Sequence, residues 1–538
     1  MRKFLLTTMF GLAIAGSAMA DWSADLKTNM PITDYNKGNA STTHVARTKD
    51  GKFWVTWISW EDDMNARLKA QLLDKNGNKL LDPDGVYVSN QITAKYHTNY
   101  GMAVTPEGDL IVCHSDSRND PGRHAFDPYV YRMDQEGNML WGLNGVKLPT
   151  SQNFGGAPYV AVSDMGSIMV GYNDVDEPSM TFVLMKMNPD GTMAWDEPVR
   201  TQGIRGTLMP ADDDNFYMTL LSGGLTLYKV DSLGDYEWSV NICSKDMNTY
   251  APYPAYPDGN GGVLVPYFYY VSLSIFNNGL QHVTPDGEVT MGIHGMDIMS
   301  NEGQNTTPGL AYNGKREEVV AYWSKNMGTA GISLWAQKYD YYGIPLWDEP
   351  VQIGDTHPNF GFNVADGVML DDGSSILFYG DCTGAIKLNL MVEKLDKDGN
   401  SVWKTQIAPN AYTDAPAAFY EGDDAYFFWN DNRNIEVASV SNPYGCVFGQ
   451  YLNLADGTPA GVRQVQAASG AKVSFDGSVI RCESGSAGFL TVCDMAGVIV
   501  ASCPLQPGIN EVTADFAKGV YVVCLTDDCG KTVTKIVK

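Results

Sequence analysis

Positive charge is what this sequence most conspicuously lacks. Against 63 Asp and Glu stand 37 Lys and Arg, a formal net charge of −26 over 538 residues, and such a surface repels phosphate backbones and anionic lipid alike. Nucleic acid is thereby excluded as a partner. Long apolar runs are also missing: beyond the first 20 residues no window approaches the ~18 uninterrupted apolar residues of a membrane-crossing helix, so no transmembrane segment is expected. Helical periodicity is nearly absent between Asp21 and about Val465. The seven histidines show no HExxH spacing, there is no GxSxG elbow, and none of the nine cysteines stands in a CxxC pair. Neither a metal nor a cofactor is expected, and no catalytic residue is assigned.

What is present begins with an address. Residues 1–20, MRKFLLTTMFGLAIAGSAMA, combine basic Arg2 and Lys3, an apolar stretch too short to span a bilayer, and a small-residue cleavage site at Ala18-Met19-Ala20. They read as an export signal. The mature chain is expected to be secreted or held on the outer cell surface.

The body of the chain is a repeat. KLDKDGNSVW, Lys394 to Trp403, has relatives in LLDKNGNKLL, RMDQEGNMLW, KMNPDGTMAW, KVDSLGDYEW, HVTPDGEVTM, KYDYYGIPLW and a degraded LNLADGTPAG. Their glycines are Gly77, Gly137, Gly191, Gly234, Gly287, Gly343, Gly399 and Gly457, spaced by 60, 54, 43, 53, 56, 56 and 58 residues. Some 20 to 25 residues upstream of each lies an apolar, aromatic-rich run such as DGKFWVTW, EGDLIVCH or GDDAYFFW, which has the composition of a short buried strand. Four-stranded units at a period of ~40–55 residues predict an all-β fold, a β-propeller over residues 21–465 with eight blades, or seven if one pair is irregular. The eighth copy has Gly461 where others have tryptophan, while the mature N-terminus offers DWSADLKT. Residues 22–28 are therefore expected to form a strand that completes the last blade.

The turn itself invites two chemical readings that its sisters exclude. The S-x-D-x-G-x-x-W box of sialidases sets the aromatic residue three positions after glycine, whereas here it stands at four in all five tryptophan copies, and one residue on a strand reverses the face. A calcium loop needs ligands at fixed positions, yet the third position varies among Asn76, Glu136, Leu233 and Tyr342. A hairpin turn accounts for every copy: aspartate bonds ahead to backbone N–H groups, glycine takes the left-handed position, and tryptophan packs between blades.

Function on such a ring is expected on the loops that follow the upstream strands. Asp116 with Arg118 and Asp431 with Arg433 share a D-x-R pattern there, joined by Asp174 and Asp381. These six residues are the candidate ligand-binding set: either they repeat an ion pair around the ring, or they line a polar pocket for a glycan or protein ligand. Non-catalytic binding is the leading function. The alternative is a carbohydrate-active enzyme, a glycoside hydrolase or polysaccharide lyase, with its site at the ring axis.

After Val465 the texture changes. Residues 466–538 are rich in Ala, Ser, Gly, Val and Cys and contain short strand-like runs, predicting a small Ig-like β-sandwich. The order LTVCDMAGVIV, PGINEVTADFAKGVYVV and KTVTKIVK, with Asp494, Gly497, Gly508, Asn510, Gly519, Tyr521, Lys535 and Lys538 at the matching positions, resembles the sorting domain of substrates of the type IX secretion system of Bacteroidota. The resemblance implies an outer-surface address and the secretion machinery as partner of residues 466–538. Cys493, Cys503, Cys524 and Cys529 depart from that pattern and suggest disulfides.

Overall fold

The computed structural model describes residues 22–62, 65–93, 99–119, 125–151, 155–176, 179–247, 253–272, 275–303, 307–357, 363–382, 388–411, 413–433, 445–459, 472–484, 486–494, 498–527 and 530–538. The export signal, Gly461, Gly497 and Cys529 lie outside them. The chain divides into two compact units, Met1–Gly461 and Val462–Lys538.

In the larger unit strands Ala40–Arg47, Phe53–Asp62, Asn65–Leu73 and Val86–Tyr87 pair in that order as one antiparallel sheet. The pattern recurs over residues 100–147, 155–202 and 204–243 as the second, third and fourth sheets. It continues as an eight-stranded sheet over 256–352, whose halves are joined by pairing of Gly303 with Lys325, then as a sheet over 363–411 and a last one over 413–459. The second strand of each unit is buried on both faces, as in Leu110–Asp116 and Phe216–Leu221, which is why these runs are continuously apolar rather than alternating. The result is an all-β, propeller-like architecture.

First strands pack against first strands: Ala40–Arg47 on Tyr100–Val104, that on Gly155–Val162, and that on Ile204–Pro210. The strand Thr413–Glu421 returns to Ala40–Arg47. Hydrophobic clusters follow the same cycle. Trp54 and Leu68 of the first sheet pack with Val112 and Tyr131 of the second, and so on to a cluster that sets Phe428 and Val447 of the last sheet against Phe53 and Val55 of the first.

The repeated motif supplies the seams. In its turn the aspartate carboxylate accepts from backbone N–H groups two and four residues on, as Asp396 does from Asp398 and Asn400, both at 2.9 Å. The glycine takes φ between 70° at Gly457 and 93° at Gly234. That glycine is required twice, because the tryptophan of the preceding repeat lies against it: a Cβ at Gly191 would stand 2.8 Å from the Trp141 ring, one at Gly287 2.8 Å from Trp238, and one at Gly457 2.7 Å from Trp403. The indole N–H then donates to the carbonyl two residues before the glycine, from Trp141 to Pro189 at 3.0 Å, Trp238 to Pro285 at 3.0 Å and Trp347 to Lys397 at 2.9 Å.

Trp22 makes this same contact for the first repeat. Its ring lies against Gly77, and its N–H donates to Lys75 at 2.9 Å. The N-terminus thus provides the tryptophan that the eighth copy lacks. The strand expected at residues 22–28 is displaced: Met30–Pro31 pairs with Gly449 and Phe448, while residues 25–29 make a turn closed by Asn29 N–H to Asp25. The reason is packing, since Trp22 reaches past the last sheet and a turn must intervene before the chain can enter it.

The smaller unit holds two sheets, Lys472–Phe475, Val479–Ser484 and Gly508–Thr513 in one, and Ile499–Leu505, Gly488–Asp494, Val520–Asp527 and Gly530–Val537 in the other. Ile480 and Cys482 from the first meet Leu490, Val492, Val523 and Leu525 from the second in one core. The residues that carry the sorting-domain resemblance have local work: Asp494 accepts from the Val498 N–H, Asn510 donates to the Gln506 and Gly508 carbonyls, and the Lys538 ammonium donates to the Ala514 and Phe516 carbonyls. Of the cysteines expected in disulfides, Cys493 and Cys503 are free thiols, as is Cys482, and Cys529 lies outside the described residues. Cys503 and Cys524 pair with the two opposite edges of Gly488–Asp494; two strand spacings of ~4.8 Å separate them, beyond the ~7 Å that a disulfide tolerates.

Candidate functional site

The second strand of each ring sheet ends near one face of the unit, and four of the sequence-predicted acids stand at that end. Asp116, Asp174 and Asp431 are buried and Asp381 nearly so. An unpaired carboxylate in such a place costs several kcal/mol, and each one is paired. The Arg118 guanidinium forks onto both oxygens of Asp116 at 2.9 and 2.6 Å, donates to the Asn144 carbonyl at 2.8 Å, and lies 3.7 Å over the Tyr129 ring. Arg433 repeats the fork on Asp431, donates to Asn29 at 2.7 Å, and lies 4.3 Å over Phe448. Asp174 is met by Arg200 at 2.7 Å and by the Ser151 N–H and hydroxyl, and Asp381 by His357 at 2.6 Å. With Arg200 and His357 the six predicted residues form four local pairs, three within one sheet and the fourth between Asp381 and His357 of the preceding sheet.

The residue before three of the four acids, Asp116, Asp174 and Asp431, ties its sheet to the next. Ser115 donates to the Gly155 carbonyl at 2.5 Å, Asn173 accepts from the Arg205 N–H at 3.1 Å, and Asn430 donates to the Ala40 carbonyl at 2.9 Å. All three bonds end beside bulges in the innermost strands. There Thr42, Ala157 and Arg205 hold φ of 50°, 46° and 57°, a left-handed conformation that costs about 1 kcal/mol or more for residues with a Cβ. Strain is thus concentrated where the innermost strands reach the face that carries the acids, and Ser115, Asn173 and Asn430 hold it in place.

His114, in the register position of Trp57 on the first sheet, is buried with neither ring nitrogen bonded. Burial pushes its pKa down to about 4, with Asp116 opposing and Arg118 adding to the effect. Among the described residues no cluster of three or more His, Cys, Asp or Glu is placed to hold a metal ion.

The first sheet departs from the pattern. By pairing register Trp57, Lys69 and Tyr87 correspond to His114, Tyr129 and Lys147, so Ser59 and Glu61 stand where the second sheet has Asp116 and Arg118. With no arginine in the groove, a cavity of about 190 Å³ remains beside Lys37, Ser59, Lys69 and Tyr87. A second cavity of about 490 Å³ lies at the fourth sheet beside Ile204, Gly223, Gly224 and Lys245, where a short glycine turn replaces the longer connections. Sequence reasoning found neither, because each depends on a missing side chain.

No family model and no curated protein matches the chain. Among solved structures it is similar to the polysaccharide lyase Uly1, at 9% identity and a TM-score of 0.43 with 82% of this chain and 94% of that one covered. It is similar to a eukaryotic initiation factor at 9% identity and 0.42, covering 80% and 89%, and to prolyl oligopeptidase B from Galerina marginata at 12% identity and 0.38, covering 74% and 56%. At such identities and TM-scores these likenesses lend the chain no activity.

Proposed function

We infer that the larger unit is an eight-bladed β-propeller which, once exported, binds a glycan or a protein outside the cell without catalysis. The smaller unit is an Ig-like sandwich that serves as its secretion address. The blade count is supported by the eight turn glycines, each overlain by a side chain of the preceding repeat, with Trp22 supplying the one that closes the ring onto Gly77.

The observation that carries binding over catalysis is the state of the buried acids. Glycoside hydrolysis needs two carboxylates facing one space roughly 5–10 Å apart, one of them free to hold a proton. Asp116, Asp174 and Asp431 are each paired with an arginine of their own sheet, and Asp381 is bonded to His357 of the preceding sheet. In this reading the forks of Arg118 and Arg433 are positioning groups: they fix the rim from which neighbouring loops reach the ligand.

Glycan-array binding by the mature chain, run beside reducing-sugar and unsaturated-uronate assays on every bound polysaccharide, tests the reading. Binding without product supports it. Product release would overturn it in favour of a carbohydrate-active enzyme, and a blank array with a captured extracellular protein would move the ligand to the protein class.

A further inference from the structure

We propose that the cavity on the first sheet, between Lys37, Ser59, Lys69 and Tyr87, is a binding subsite for a single neutral sugar residue. The proposal deepens the glycan reading above and rests on it. The cavity exists because a repeated plug is absent. In the second and last sheets an arginine two residues after a buried aspartate fills the groove and stacks on an aromatic ring of the third strand. Arg118 also takes the Asn144 carbonyl. In the first sheet the aspartate is Ser59 and the arginine is Glu61, which lines the cavity while it pairs with Arg67 and accepts from the Tyr87 hydroxyl at 3.2 Å. The carbonyl equivalent to that of Asn144 belongs to Asp84 and is taken by Lys69 at 3.0 Å. The groove is kept, and its occupant is not part of the sheet.

The lining specifies the occupant's chemistry. Lys37 lies between Asp84 at 3.1 Å and Asp34 at 3.4 Å, Glu61 pairs with Arg67, and the Lys69 ammonium stands beside them, so three positive charges balance three carboxylates and no net field selects an ion. What remains is a dense set of donors and acceptors: ammonium groups that donate, carboxylates that accept, and the Ser59 hydroxyl that does both. A sugar ring carries hydroxyls of the same dual kind. Tyr87 is 45% exposed, and with the Lys69 ammonium 4.8 Å from its ring centroid the aromatic surface it has left is of the sort that apolar sugar faces cover. At about 190 Å³ the space falls below the ~300–1,000 Å³ of drug-sized sites, which fits one ring with its neighbours in the chain left outside. Asn39, whose amide donates to the Trp60 carbonyl at 2.7 Å, anchors the N-terminal segment that forms the cavity's outer wall.

The test uses the full mature chain and methyl glycosides of glucose, galactose, mannose and N-acetylglucosamine, with glycine, glutamate and inorganic phosphate as competing probes. Binding is read by saturation-transfer NMR and calorimetry. Tyr87→Ala removes the aromatic face, and the pair Ser59→Asp with Glu61→Arg installs the plug of the second sheet; melting temperature reports folding. The expected result is saturable binding of at least one glycoside that falls tenfold or more in both variants. If the plugged variant does not fold, the exposed Tyr87→Ala change decides alone. Glycoside binding unchanged in the variants overturns the site and leaves the glycan reading standing. A positive glycan array with no glycoside bound does the same, whereas a blank array together with no glycoside bound overturns both. Displacement by glutamate or phosphate with no glycoside effect overturns the neutral-sugar assignment.

Discussion

If Trp22 closes the ring, Trp22→Ala must open one seam and leave the others intact. The ring is 4% exposed, in contact with Phe53 of the first sheet and with Tyr426 and Phe428 of the last, and its N–H bonds to Lys75 at 2.9 Å. Truncating a buried tryptophan costs about 3–5 kcal/mol, and about 1 kcal/mol of that is the hydrogen bond. At ~2.1 cal/mol/K per residue the unfolding entropy of a unit of some 440 residues is roughly 0.9 kcal/mol/K, so 4 kcal/mol lowers the melting temperature by about 4 °C. Trp22→Phe keeps most of the packing and should cost about 1–2 kcal/mol. Location is the sharper readout. Amide hydrogen exchange should rise in Cys446–Asn453 and Asn65–Leu73, while Phe216–Leu221, in the fourth sheet, keeps its protection. Trp141→Ala, at a seam within the chain, should cost as much but raise exchange near Gly191. A Trp22→Ala variant within 1 kcal/mol of wild type, or one losing protection evenly in every sheet, would refute the closure.

Further outcomes follow from the buried charges. Arg433→Met strands Asp431, whose remaining side-chain donor is the Trp429 N–H at 2.8 Å, and should cost about 3–5 kcal/mol in urea unfolding; the double change with Asp431→Asn should cost less than that single. His114 titrates near 4 when folded but near 6.5 when unfolded, so the unfolded chain gains its proton first as pH falls. Stability from this site is therefore lost between about pH 6.5 and 4, by up to ~3 kcal/mol at 1.36 kcal/mol per pKa unit. His114→Phe should flatten that slope and gain about 1 kcal/mol at neutral pH by removing two unbonded nitrogens. For Asp258 burial raises the pKa, but bonds from His282 and the Asn260 and Gly262 N–H groups win and hold it below the usual range; Asp258→Asn should weaken the loss of stability as pH falls below about 4. In the smaller unit, Lys538→Ala removes donors to Ala514 and Phe516 and should raise exchange along Val520–Asp527, at a cost of about 1–2 kcal/mol.

These expectations also mark what a reader of the sequence alone could see. The turn was legible because its parts obey local rules: aspartate, glycine at positive φ and an aromatic four residues on are set by backbone sterics that need no knowledge of neighbours. What the tryptophan touches is not local, yet the spacing to the next glycine exposed it, and the missing aromatic at Gly461 pointed to Trp22. The strand beside it lies later than its sequence suggests, because Ser23 to Asn29 is a turn whose purpose, letting the indole reach Gly77 before Met30 enters the last sheet, is a three-dimensional requirement. The candidate site was legible in the opposite sense. The D-x-R pattern drew notice by its charge, and the same charge is what buries it: a guanidinium that forks onto an aspartate two residues away and stacks on Tyr129 or Phe448 fills its own groove. The sheets richest in the motif therefore have the least room. Space for a ligand survives where the motif fails, at Ser59 and Glu61 and at Gly223 and Gly224. In a repeat whose conserved-looking side chains hold the ring, the irregular copy is where recognition can be built.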